Sequence, residues 1–306
     1  MSLKNVLVGL LVVQSGLVGL TWGVGSTTSA SSEPLVDLLP EEVTRIQVWG
    51  SETEPVVLSR EEGGWVLSSH GDYPASTEKV STLLDALLDA QVRDPIATQA
   101  VHHANLAVSD TEHDKKVEIQ SPAGTQTVFV GSGGKDAHVR RGGETAVYVA
   151  RGLSAWSIGT KESQYRDSNA LDLDASRFLM VQVQPTNGEG FTLERQSLED
   201  PWTSPGLEGS LDSEAVQSWL DQLASLRITA LPDDPSIPVT PMTTISWVLE
   251  AEGESVGGSL AIGAATEDKN HPVRGSDSQH TVLVNPYALG TAITDASLEK
   301  LLATDD

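Results

Sequence analysis

The chain has 306 residues, of which 39% are hydrophobic, enough to bury one or two cores and too apolar for wholesale disorder. Its 43 acidic and 19 basic residues leave a net charge of −24, which argues against nucleic acid or anionic membrane as the main ligand, because phosphate binding needs clustered Lys and Arg. There is no cysteine, so disulfides, thiolate metal sites, lipoprotein anchoring and cysteine nucleophiles are excluded.

Behind a short basic head carrying Lys4, an uncharged apolar run extends from Val6 to Val24. About 19 residues at ~1.5 Å each reach roughly 28 Å, close to the thickness of a hydrocarbon core. The spacing predicts a transmembrane helix, with residues 1–25 as a membrane anchor and Trp22 at its outer interface. The first charge beyond the span is Glu33, so positive-inside orientation leaves the head in the cytoplasm and exports the rest. A cleaved signal peptide with Thr28 and Ala30 at its small-residue site is the competing reading. The Ser/Thr-rich stretch from Gly25 to Pro34 opens a linker over residues 26–42.

Alternating residues then open the first unit, residues 43–158. Arg45 to Val48, Pro55 to Arg60 and Trp65 to Leu67 read as an antiparallel three-strand meander turning at Gly63-Gly64. Ser76 caps an amphipathic helix whose Val80, Leu83, Leu84, Leu87 and Leu88 form one apolar stripe. Later strands are expected at Val117 to Ile119, Thr127 to Val130, His138 to Arg140 and Ala146 to Val149. Residues 159–176 connect this unit to a second one, residues 177–306.

The second unit repeats the pattern at a nearly constant offset. Asp212, Val216, Trp219, Leu220 and Leu223 copy Ser76, Val80, Leu83, Leu84 and Leu87, and Trp202 falls where Trp65 fell. Strands at Phe178 to Val183, Phe191 to Arg195, Ile245 to Glu250, Gly258 to Ile262, Val273-Arg274 and Thr281 to Val284 complete the copy. The expected fold class is therefore α+β: two tandem copies of a module with an antiparallel sheet and one main amphipathic helix, behind the anchor.

Arg45 to Val48, Val57 to Arg60, Gly64 to Leu67, Pro74-Ala75, Phe129-Val130-Gly131, Val147-Tyr148-Val149 and Tyr165-Arg166-Asp167 together resemble the DUF4340 family of bacterial membrane-anchored proteins. The family's Tyr-Gly-Leu step is replaced by Ala104-Asn105-Leu106. This resemblance implies an accessory protein of the bacterial inner membrane with a periplasmic body, partnered by ABC-type transporter subunits of an export or gliding-like machine. It brings no catalytic residue, cofactor or metal with it.

The residues themselves spell out no chemistry. Gly131 to Asp136 lacks the first Gly and the Ser/Thr of a phosphate loop and reads as a hairpin turn. His102, His103 and His113 lack metal-ligand spacing on a helix. His138 with Arg140, and His271 with Arg274, fall at nearly equivalent places in the two units and are candidates for a shared groove; inherited strand-edge positions explain them as well. Trp65, Trp202, Trp219 and Trp247 are expected in cores. A non-enzymatic accessory protein is the leading expectation, and a module capturing glycan, peptide or lipid in the cleft between the units is the alternative.

Overall fold

The computed structural model describes residues 32–51, 54–171, 173–290 and 297–303. The span expected from Val6 to Val24 lies outside the described residues, and among those residues no helix is long and apolar enough to cross a membrane.

The folded body takes in part of the stretch expected as linker. β1 (Glu33–Pro34) pairs with β6, the strand Gln91–Val92 that follows the first long helix. Leu35 and Val36 are buried, and the Leu35 N–H donates to the Ala90 carbonyl at 2.8 Å. Two adjacent large apolar side chains are better removed from water, which draws this segment onto the body.

The expected meander forms as β2 (Arg45–Gly50), β3 (Val56–Glu61) and β4 (Gly64–Leu67), with a short β5 (Tyr73–Pro74) beside it. Ile46 and Val48 are buried while Arg45 and Gln47 are half-exposed, the period of two that places one strand face on a core. α1 (Thr77–Leu88) begins where the Ser76 hydroxyl accepts the Lys79 N–H at 3.4 Å, and it buries Val80, Leu83, Leu84 and Leu87. After a long loop come β7 (Lys115–Ser121), β8 (Gly124–Gly131), β9 (Ala137–Arg141) and β10 (Tyr148–Ala150).

The second unit holds β11 (Phe178–Pro185), β12 (Phe191–Glu194), α2 (Ser213–Ala224), β13 (Pro241–Ala251), β14 (Glu254–Gly263), β15 (His271–Gly275) and β16 (Val282–Val284), then a short α3 (Pro286–Leu289). Asp212 Oδ1 caps α2 by accepting the N–H groups of Glu214 and Ala215 at 2.9 and 3.2 Å. Val216, Trp219, Leu220 and Leu223 form its buried stripe. β13 and β14 run well past the expected Ile245–Glu250 and Gly258–Ile262, because their ladder continues through Thr, Ser and Gly residues that carry no apolar period. Gly258 has no room for a side chain: a Cβ there would lie 2.6 Å from the Trp247 indole nitrogen, so the glycine lets that ring cross the sheet face.

The architecture is α+β, mostly antiparallel sheet with few helices. An eight-stranded sheet has the order β10-β9-β8-β7-β2-β3-β4-β5, and a six-stranded sheet the order β12-β11-β13-β14-β15-β16. In both, the first strand of the unit lies beside the first long strand after the helix: β2 pairs with β7, and β11 with β13. One hydrophobic cluster runs through both units, from Leu35 to Leu301, with the stripes of α1 and α2 inside it. A small satellite of Val108, Phe129 and Val147 sits under the loop before β7.

Candidate functional site

The four polar candidates occupy matching ladder positions. His138 pairs with Val149 and His271 with Val284; Arg140 pairs with Phe129 and Arg274 with Ala261. Both arginines act as latches within their own unit. Arg140, 2% exposed, donates from Nε to the Val108 carbonyl at 2.7 Å and from Nη1 to the Glu144 carbonyl at 3.1 Å. Arg274 donates to the Ser278 and Ser236 carbonyls at 3.1 and 3.2 Å. Each guanidinium thus ties the loop that follows the helix to the turn that follows its own strand. Asp110 completes the first latch at 2.7 Å, and the hydrogen bond from Arg140 holds its carboxyl below the usual range. His271 Nδ1 lies 3.0 Å from the Gly263 carbonyl, whereas the buried Nδ1 of His138 has no partner among the described residues. The contacts of these four residues do not bring them together in one groove.

The other sequence candidates have local roles. Gly131 to Asp136 joins β8 to β9 as a hairpin, and a Cβ on Gly131 would lie 2.1 Å from the Leu106 carbonyl oxygen. His103 Nε2 bonds with the Thr145 carbonyl and His113 Nδ1 with the Ser109 carbonyl. Among the described residues no group of His, Asp and Glu is placed to hold a metal ion.

Between the units there is a closed seam, built largely by residues 159–176. Bridges Ala75 to Arg166, Asn169 to Arg227 and Ala230 to Leu283 run from the edge strand β5 of one sheet to the edge strand β16 of the other. Arg166, 6% exposed, donates to Glu162 Oε1 at 2.5 Å and to the Thr229 carbonyl at 2.6 Å. Lys79 on α1 donates to the Arg166 carbonyl and the Ser168 hydroxyl. His280 Nε2 meets the Gly71 carbonyl at 2.7 Å, and its ring stands edge-on to Tyr73 at 5.4 Å. Along this seam the connector and both edge strands contact one another directly.

Burial, with Asp167 and Glu162 nearby, pushes the Tyr73 hydroxyl from 10.0 up to about 12. Below pH 10 both folded and unfolded chains keep this tyrosine neutral; between 10 and 12 only the unfolded chain ionises, so stability falls as pH rises. We expect roughly 2 to 3 kcal/mol of the alkaline loss to come from this group. Urea midpoints followed across that window should fall less steeply in Tyr73→Phe than in the parent chain; equal slopes would contradict this assignment.

A cavity of about 470 Å³ opens where β2 ends and β7 begins, lined by Ser51, Asp114, Lys115, Ser132, Trp156 and Thr160. The Lys115 ammonium donates to the carbonyls of Ala155 and Ile158, and burial lowers its pKa while neighbouring Asp114 opposes that shift. Asp114 Oδ2 accepts the Ser132 N–H at 2.8 Å. Trp156 stands between the two clamped carbonyls and is 85% exposed. Sequence reasoning missed this cluster; its one signal was a tryptophan outside any apolar period, in Ser154-Ala155-Trp156-Ser157. A second hollow, about 420 Å³ and mainly apolar, lies under the loop Leu231 to Pro241, with Ile237 and Met242 exposed at its rim.

No curated protein and no solved structure matches this chain. Residues 65–241, more than half of the chain, match the family described as Domain of unknown function (DUF4340). That stretch runs from Trp65 through α1, the seam and α2 to the start of β13. The chain belongs to the DUF4340 family.

Proposed function

We propose that this is a non-enzymatic accessory protein, held to a bacterial inner membrane by the Val6 to Val24 helix, with an extracytoplasmic body that bridges components of an ABC-type export or gliding-like machine. The observation that carries the reading is the closed seam. It makes a single body of both units and leaves the outer surface as the place for contacts. The apolar hollow at Ile237 and Met242 is the surface best suited to a protein partner.

The body is, in this reading, a tandem duplication. Support comes from paired features at corresponding positions. Arg60 lies over Trp65 at 4.9 Å and Arg195 over Trp202 at 4.6 Å. The latches of Arg140 and Arg274 match, as do the capped helices α1 and α2 and the order of six strands in each sheet. A duplicated body fits a scaffold, since it extends contact area without requiring a pocket.

Affinity capture of the full chain in mild detergent tests the proposal. Integral membrane subunits of a transporter should be recovered with it; recovery of the chain alone would contradict the accessory role.

A further inference from the structure

We propose that the cavity beside Trp156 is a binding site for a neutral saccharide, with one pyranose ring stacked on the indole and its hydroxyls held by Asp114, Ser132 and Thr160. A tryptophan 85% exposed leaves a large apolar face in water, and a free surface loop would let it fold down. Here it cannot. The Ser154 hydroxyl accepts the backbone N–H of Trp156 at 3.3 Å, the Ser157 hydroxyl donates to the Ser154 carbonyl at 2.7 Å, and Lys115 grips the carbonyls of Ala155 and Ile158. The turn that carries the indole is ordered in advance of any ligand, which lowers the ordering cost of binding.

The lining selects the class of ligand. At about 470 Å³ the cavity is within the roughly 300–1,000 Å³ range of small-molecule sites. Its apolar wall, chiefly the indole, is interrupted by hydroxyls, one carboxylate and one ammonium, which disfavours a lipid chain. Asp114 and Lys115 balance each other in charge, and the ammonium already serves two carbonyls, so neither an anion nor a cation finds an uncompensated partner. Asp114 commits Oδ2 to the Ser132 N–H, while among the described residues its other oxygen and the hydroxyls of Ser132 and Thr160 have no hydrogen-bond partner. A stacking face flanked by hydroxyls and a single carboxylate suits a ring with apolar C–H groups on one side and hydroxyls at its edge.

This site does not rest on the accessory reading, and its test is separate from capture of partners. Calorimetry on the full chain in detergent would use chitotetraose and cellotetraose as neutral probes and a heparin tetrasaccharide as the anionic one. A neutral probe should bind with millimolar or better affinity, and Trp156→Ala should weaken it at least about tenfold. Trp156→Phe should restore part of the loss, and Lys115→Met should weaken binding by releasing the loop. The exposed position of Trp156 means that its variants should keep the parent unfolding midpoint. Three results would overturn the proposal: neither neutral probe binding, binding unaltered in Trp156→Ala, or the heparin probe binding most tightly.

Discussion

Replacing Arg166 by alanine should cost the fold about 3 to 5 kcal/mol, the range for removing one partner of a buried ion pair. The side chain is 8% exposed and its Glu162 partner 22%, so the carboxylate left behind is poorly hydrated. The Thr229 carbonyl on the other unit would also lose its donor at 2.6 Å. Arg166→Lys should recover part of the loss, because an ammonium can reach one of the two acceptors but lacks the fork that spans both. Urea unfolding of the full chain measures both effects. A midpoint for Arg166→Ala equal to the parent's would mean that the guanidinium contributes nothing to the seam.

Leu220→Ala should remove about 3 kcal/mol, within the range measured for large-to-small changes at sites that cannot collapse. Leu220 is fully buried on the stripe of α2, between Val216 and Leu223. The corresponding Leu84→Ala in α1 removes a side chain that is 3% exposed and should cost a similar amount. Because one hydrophobic cluster includes both helices, either variant should lower a single shared thermal transition. Two separated transitions in calorimetry would contradict a common core.

The elements that were legible in the sequence are those whose side chains carry a period. The stripes of Val80 to Leu87 and Val216 to Leu223, the alternation of Ile46 and Val48, and the cap residues Ser76 and Asp212 led directly to helices and strands where the structure has them. Trp65, Trp202, Trp219 and Trp247 are all buried, as their positions implied. The seam was not legible. Arg166 and His280 bond to the backbone carbonyls of Thr229 and Gly71, and a carbonyl exists at every residue, so no residue type marks the acceptor. The same holds for Lys115, which fixes the turn carrying Trp156 through two main-chain oxygens. The paired placement of Arg140 and Arg274 was legible as a recurrence, but the sequence could not separate a groove from a latch. Leu35 and Val36 are two apolar residues beside a Ser/Thr-rich stretch, too short a run to mark burial by sequence alone.

If the two units form one body joined along the connector, with contacts made on its outer surface, both long helices share one opening reaction. Native-state hydrogen exchange of the full chain in detergent addresses it directly, through the amides of α1 and α2. Both helices should open with the same free energy, and Arg166→Ala should lower both together. Helices that open with different free energies, or an Arg166→Ala effect confined to one of them, would contradict it.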